Sequence, residues 1–494
     1  MTIYIDNHPF HYEMENLVRL FYPNEKISVI SEISQEKEAE YIYTLMETNK
    51  DNISARIYAE VCIGGRKLSA EVLSGSCDGE DFEKTAERDM AVCLYKLLCE
   101  VTEKTQPWGI LTGVRPIKLF RRLSEKYGED YAKDYFQNKL LVSAEKTELS
   151  AKTEGYEKKI LSYSKDNSFS LYISIPFCPS RCSYCSFVSQ TVESAAKLID
   201  PYFDLLCREI EYTAEIVKNK NLTLESVYIG GGTPTTLSAS QLGKLIDTVK
   251  KNFDMNTCRE FTVEAGRPDT IDESKLRAII DGGVDRISIN PQTLNDSVLE
   301  VIGRKHTSAQ TLQAFELARK IGFGHINMDM IAGLPTETVE SFSDTLDRIC
   351  SLSPESITVH TLALKRSSRI TLEGKGVQTD SKNAAAKMLS YCEKKLMNEG
   401  YIPYYLYRQS RMEGNLENVG WSKPGYEGIY NVFVMDETHT IIGCGAGAVT
   451  KLKVPFSESL TRIFNYKYPY EYISGFEEMI KRKEQVREFY DELS

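Results

Sequence analysis

Apolar and polar residues alternate from Ile53 to Ile63 (Ile53, Ala55, Ile57, Ala59, Val61, Ile63), the period of a strand buried on one face. Gly64-Gly65 then offers a two-residue turn, and Leu68, Ala70 and Val72 carry the alternation on. The pattern predicts a hairpin that pairs Ile63 with Arg66, Val61 with Leu68, Ala59 with Ala70 and Ile57 with Val72. Asp81 to Thr102 has helical spacing, Gln106-Pro107-Trp108-Gly109 breaks it, and a basic segment runs on to about Arg122. Residues 1–165 are therefore expected to form an N-terminal α+β domain with a helical linker.

From Ser168 the texture changes to short β-branched runs between longer helical stretches, the mark of repeated βα units on a parallel sheet. Six strands are predicted: Leu171 to Ile175, Ser226 to Ile229, Phe261 to Glu264, Arg286 to Asn290, His325 to Met330 and Ser356 to Thr361. Ser238 with Gln241 reads as a capping box, and Gly322 as the stop of a helix carrying Leu312, Phe315 and Ala318. The fold class is α/β, with residues 166–380 as a partial (β/α)6 barrel. Residues 381–494 are expected as a C-terminal accessory region, with a helix from Ser381 to Asn398 and a tyrosine-rich stretch from Tyr401 to Tyr407. The charged, amphipathic close from Tyr470 to Ser494 reads as a solvated face. In such sheets chemistry collects beyond the carboxyl ends of the strands.

A net charge of -11 over 494 residues argues against a nucleic-acid partner. No apolar run approaches the roughly 18 residues that span a bilayer. Met1 to Pro23 carries Asp6, Glu13 and Glu15 and no continuous apolar stretch, so no signal peptide and no membrane partner are expected, and the protein is expected to be cytoplasmic. Its twelve cysteines then read as reduced thiols, some of them metal ligands.

Cys178, Cys182 and Cys185 form C-x3-C-x2-C in the loop leaving the first barrel strand. With twelve cysteines in the chain, that spacing arises by chance in about one such sequence in 140. The six histidines are scattered and no second cysteine pair stands nearby, so iron-sulfur ligation fits better than zinc. Three thiolates on a four-iron cluster leave one iron open to chelate a substrate. The second strand ends in Gly230-Gly231-Gly232-Thr233, and Glu264, Gln292 and Asp329 put polar groups at or near the ends of the next three strands.

This combination resembles the radical S-adenosylmethionine (SAM) superfamily, whose hallmark is the C-x3-C-x2-C loop after the first strand of a partial barrel. Residues 168–365 are similar to the oxygen-independent coproporphyrinogen III dehydrogenase (oxidase) family, in its longer HemZ-type branch. The resemblance implies a [4Fe-4S] cluster on Cys178, Cys182 and Cys185, and reductive cleavage of SAM to a 5'-deoxyadenosyl radical. It implies SAM contacts from Tyr172, Tyr184, Gly231, Gly232, Thr233, Glu264, Gln292, Arg304 and Asp329, with Tyr172 as the catalytic position before the cluster loop. The Gly445-Ala446-Gly447-Ala448 run, preceded by Lys423-Pro424-Gly425-Tyr426, resembles the family's C-terminal region.

The activity so implied is oxidative decarboxylation of coproporphyrinogen III to protoporphyrinogen IX, with a small-molecule porphyrinogen as substrate and an electron donor such as flavodoxin or ferredoxin. Arg115, Lys118, Lys365, Arg366 and Arg408 are candidate partners for the substrate carboxylates. The dehydrogenases carry a fourth cysteine two residues after the third, where this chain has Phe187, as does the related haem-chaperone branch. Of that branch's H-N-x-x-Y-W motif, Tyr430-Asn431-Val432-Phe433-Val434 keeps the Asn. A haem-binding chaperone is the alternative reading. RNA modification would need a basic surface that the acidic balance does not supply.

Overall fold

Five strands build the first sheet: β1 (Thr2–Asp6), β2 (Ser28–Ile30), β3 (Tyr41–Thr48), β4 (Ser54–Ile63) and β5 (Arg66–Gly75), in the order β2-β1-β3-β4-β5. β4 and β5 pair in the register that the alternation predicts, Ile63 with Arg66 through Ile57 with Val72. Gly64 and Gly65 turn between them at φ 58 and 75°, the left-handed values a two-residue hairpin demands. Helices α1 (His11–Phe21) and α2 (Phe82–Thr102) share one apolar cluster with Ile57, Ala59 and Val61. α2 begins at Asp81, whose carboxylate accepts the Glu83 N–H. The computed structural model describes residues 1–31, 37–49, 53–75, 81–185, 187, 189–363, 383–409, 412–455 and 457–493. They fall into two compact units, Met1–Lys152 with Arg408–Leu416, and Thr153–Tyr407 with Glu417–Ser494. Helices α3 (Pro116–Tyr127), α4 (Glu129–Asp134) and α5 (Ala144–Leu161) follow α2 along the chain.

The second unit opens with β6 (Ser168–Ile175) and the cysteine loop, whose ends pair as β7 (Phe177–Cys178) and β8 (Gln190–Thr191). The chain then alternates α6 (Val192–Asn219), β9 (Thr223–Gly231), α7 (Ala239–Asn252), β10 (Glu260–Glu264), α8 (Glu273–Asp281) and β11 (Arg286–Ser288). It continues through α9 (Asp296–Val301), α10 (Ser308–Ile321), β12 (Ile326–Ala332), α11 (Val339–Leu352) and β13 (Ser356–Thr361). β6, β9, β10, β11, β12 and β13 lie side by side and all parallel, the six-stranded partial barrel of the sequence reading. The Ser238/Gln241 capping box forms, and Gly322 ends α10 at φ 119°. β11 is shorter than its apolar pattern, stopping at Ser288. Pro291 has no N–H to give the ladder, and Gln292 beyond it adopts φ 67°.

After α12 (Ala384–Asn398) come β14 (Ile402–Tyr407), β15 (Asn418–Ser422), α13 (Ile429–Asp436), β16 (Thr440–Cys444), β17 (Val449–Lys453) and β18 (Leu460–Phe464). β15 adds antiparallel to β13 and β16 adds parallel to β6, so both edges of the barrel sheet are paired, and among the described residues the sheet is open with eleven strands. The closing helices are α14 (Pro469–Ser474) and α15 (Phe476–Glu492). The charge of α15 is not all solvated, as its pattern had suggested: Lys483 is 1% exposed and pairs with the fully buried Glu209 at 3.1 Å. Among the described residues no helix is long and apolar enough to cross a membrane.

Candidate active site

Cys178 closes β7, Cys182 is buried and Cys185 half-buried on the loop that follows. Each sulfur has a hydrogen-bond donor. Thr233 Oγ1 donates to Cys178 Sγ at 3.6 Å, Arg267 Nη1 to Cys182 Sγ at 3.8 Å, and the Phe187 backbone to Cys185. Burial pushes the Cys185 thiol up to about 11, and Cys182 and Cys178 push it the same way through their own charge. A thiol that burial makes costly to ionise beside two others fits a bound cation, whose charge offsets the penalty. Among the described residues no trio of Cys, His, Asp or Glu is drawn tightly enough to grip a single ion.

Beside the loop, the end of β9 is a cradle that only glycine fits. A Cβ on Gly232 would stand 2.6 Å from Phe177 O and 3.0 Å from Cys178 Sγ, and one on Gly231, at φ 107°, would meet Ser174 Oγ at 2.9 Å. The Gly445–Ala448 run packs behind it: Ser174 Oγ donates to Ala446 O at 2.8 Å, and Tyr202 Oη accepts the Ala446 N–H at 2.9 Å. Arg304 is half-buried and reaches across the barrel mouth, donating to Gly266 O, Asn290 O and Tyr184 Oη at 3.2, 2.9 and 3.2 Å. Among the described residues Arg304 Nε and Ser183 Oγ are buried with no hydrogen-bond partner, the mark of a polar ligand's place beside the loop. Gln292 bridges to Met330, its N–H donating to Asp329 O at 2.9 Å.

The barrel interior is polar along one band. Tyr228 Oη donates to Glu264, Asn327 Nδ2 donates to Ser288 Oγ at 2.8 Å and to Asp329 Oδ1 at 2.7 Å, Thr358 Oγ1 donates to Asn327 Oδ1 at 3.2 Å, and His360 stands 3.8 Å from Asp329. Burial raises Glu264 to about 7, with the charge of Asp329 adding to the push. Burial pushes Asp329 up as well, but His360, Asn327 and Thr358 outweigh it and hold that carboxyl below its ordinary value. Tyr172, Tyr228 and Tyr430 stack as a wall, with the last two rings 4.4 Å apart and 20° from parallel.

The fold thus brings the cysteines together with Tyr184, Gly231, Gly232, Thr233 and Arg304, and lines the adjoining interior with Tyr172, Glu264, Gln292 and Asp329. Sequence reasoning gave no role to Tyr228, His360 or Tyr430, although Tyr228 and Tyr430 stand in stretches it named, and did not single out Arg267, although the stretch after Glu264 contains it. Of the candidate carboxylate partners, Arg408 is committed elsewhere. It donates to Leu111 O at 2.8 Å, Gly113 O at 3.3 Å and Asn415 O at 3.2 Å, and its guanidinium lies over Trp108. Arg115 and Lys118 lie at the start of α3 in the first unit, and Lys365 and Arg366 lie outside the described residues.

Residues 172–349 match the radical SAM superfamily. The chain is 35% identical over 487 residues to the oxygen-independent coproporphyrinogen-III oxidase-like protein HemZ of Bacillus subtilis, covering 97% of this chain and 96% of that protein. The chain belongs to the HemZ-type branch of the radical SAM superfamily. A radical SAM protein carries a [4Fe-4S] cluster and SAM, and the three thiols and the glycine cradle suit both. The heme chaperone HemW of Lactococcus lactis is 32% identical over 323 residues, 65% of this chain and 79% of that protein. Among solved structures, the Escherichia coli coproporphyrinogen III oxidase HemN shares the fold at a TM-score of 0.50 and 22% identity, over 65% of this chain and 72% of that one. This HemZ-type chain thus sits in a family whose members are named both oxidases and heme chaperones.

Proposed function

We propose that this chain is an oxygen-independent coproporphyrinogen III dehydrogenase, converting two propionate side chains to vinyls to give protoporphyrinogen IX. The observation that carries the reading is its similarity, from end to end, to a coproporphyrinogen-III oxidase-like protein. Cys178, Cys182 and Cys185 would hold the cluster, and Tyr184, Gly231, Gly232, Thr233, Glu264, Gln292, Arg304 and Asp329 the SAM, with Tyr172 beside it. Bound together, cluster and SAM supply a radical able to take a hydrogen atom from a propionate β-carbon. The substrate then loses CO2 and passes one electron to an acceptor, so that C=C forms as C–C breaks and charge balances.

The chain's own residues prepare the space. The stacked rings of Tyr172, Tyr228 and Tyr430 present an apolar wall that would limit water at the reacting carbon once substrate fills the interior. Near neutral pH Glu264 shares its proton between states while Asp329 stays ionised, so one carboxyl can donate a hydrogen bond where the other only accepts. The cluster electron would come from a flavodoxin or a ferredoxin.

Anaerobic incubation of reconstituted protein with coproporphyrinogen III, SAM and dithionite should yield the divinyl product by mass spectrometry, with one 5'-deoxyadenosine formed per vinyl. The heme-chaperone reading is favoured by Phe187 at the position of the dehydrogenases' fourth cysteine and by the similarity to HemW. Stoichiometric heme binding with no vinyl product would decide for it.

A further inference from the structure

Arg267 follows β10 and is 4% exposed, a position where a guanidinium stands only if its donors are answered. They are answered by the cysteine loop on one side and a carboxylate on the other. Nη2 donates to Ser180 Oγ at 3.0 Å and Nη1 to Ser180 O at 3.2 Å and Cys182 Sγ at 3.8 Å, while Nε and Nη2 each donate to Asp269 at 3.0 Å. Behind Asp269 stands His306, its ring buried and Nδ1 3.7 Å away. Among the described residues, the hydrogen bonds to the other two sulfurs come from neutral donors, Thr233 Oγ1 and a backbone N–H. Arg304, a second, half-buried cation near the loop, spends its Nη donors on Tyr184 and two backbone carbonyls.

We propose that Arg267 is a positioning residue that raises the reduction potential of the cluster through Cys182, and that Asp269 is the counter-charge that limits how far. The inference rests on the cluster being held by Cys178, Cys182 and Cys185, and is indifferent to which tetrapyrrole the protein serves. Reduction adds one negative charge to the cluster, so a donor or positive charge at a ligating sulfur favours the reduced form. Asp269 cancels most of the guanidinium's net charge and leaves the N–H pointing at sulfur. The two residues therefore pull the potential in opposite directions. Removing the donor makes the cluster harder to reduce, and removing the counter-charge makes it easier. A residue that merely splinted the loop would not give opposite signs.

The test is a dithionite titration of the full-length reconstituted protein, followed by electron paramagnetic resonance, with iron and sulfide measured on the same samples. At a fixed potential, Arg267→Gln should lower the ratio of reduced to oxidised cluster about tenfold, a shift of about 59 mV for one electron, and Asp269→Asn should raise it. Arg267→Lys keeps the charge without the fork and should fall between wild type and Arg267→Gln. Should Arg267→Gln hold no iron, Asp269→Asn still decides. A higher ratio supports the assignment, and an unchanged ratio, a lower one or a protein without cluster overturns it. A wild-type chain that gives no four-iron signal would instead overturn the ligand assignment, a separate failure.

Discussion

Glu264→Gln should stabilise the protein at pH 8 and leave it nearly unchanged at pH 4.5. Glu264 ends β10 close against Gly230, where a Cβ would come within 3.1 Å of its carboxyl carbon, and it accepts from Tyr228 Oη. Burial raises it from an ordinary 4.5 to about 7, with Asp329 adding to the rise and Tyr228, Arg286 and His360 opposing it. Between those two values the folded chain holds a proton that the unfolded chain has lost, so stability falls as pH rises through the window and the full cost is present above it. Two and a half pH units at 1.36 kcal/mol each give about 3 kcal/mol. This is a ceiling, because the side chain is partly exposed to the barrel interior, which water can enter. Glutamine keeps the shape and the acceptor for Tyr228 and carries no charge, so the variant escapes the cost. For the larger unit, at ~2.1 cal/mol/K per residue of unfolding entropy, 3 kcal/mol corresponds to about 4 °C. Scanning calorimetry of the apo-protein from pH 4.5 to 8 measures it directly. A variant-minus-wild-type difference that stays flat with pH, or grows more negative above pH 7, would refute the burial argument.

Cys182→Ala should abolish the brown colour and charge-transfer absorption of the anaerobically reconstituted protein, and full iron content in that variant would overturn the ligand assignment. Lys483→Met strands the buried Glu209 carboxylate without its 3.1 Å partner and should cost about 3–5 kcal/mol in urea denaturation, most of it recovered by adding Glu209→Gln. A loss below about 1 kcal/mol would mean that Tyr472, Asn465 and the Gly445 N–H, which also donate to Glu209, suffice to hold the charge.

What could be read from the residues alone was what repeats locally. The hairpin register follows from period two, the six barrel strands from apolar runs between capped helices, and the glycine run from its place after the strand that follows the cysteines. What escaped has no local period. β16 pairs with β6 although some 270 residues separate them, and nothing near Ile441 names that partner. Lys483 sits among charged neighbours and looks solvated until Glu209, on α6, is laid against it. Arg267 reads as an ordinary polar residue before a proline, because Ser180 and Cys182, which give it a role, come from a loop some 85 positions earlier.

Tyr430 shows how far the C-terminal residues enter the site. Glu260, at the start of β10, accepts the N–H groups of Ile429 at 2.7 Å and Tyr430 at 3.3 Å, so a carboxylate anchors the first turn of α13. That helix lays the Tyr430 ring on Tyr228, and Tyr228 in turn donates to Glu264, four residues further along the strand that holds the helix. Strand, helix, ring and carboxyl close a circuit, and each is placed by the one before. Tilting α13 would shift the Tyr430 ring, then Tyr228, then the hydrogen bond that opposes the rise of the Glu264 proton affinity.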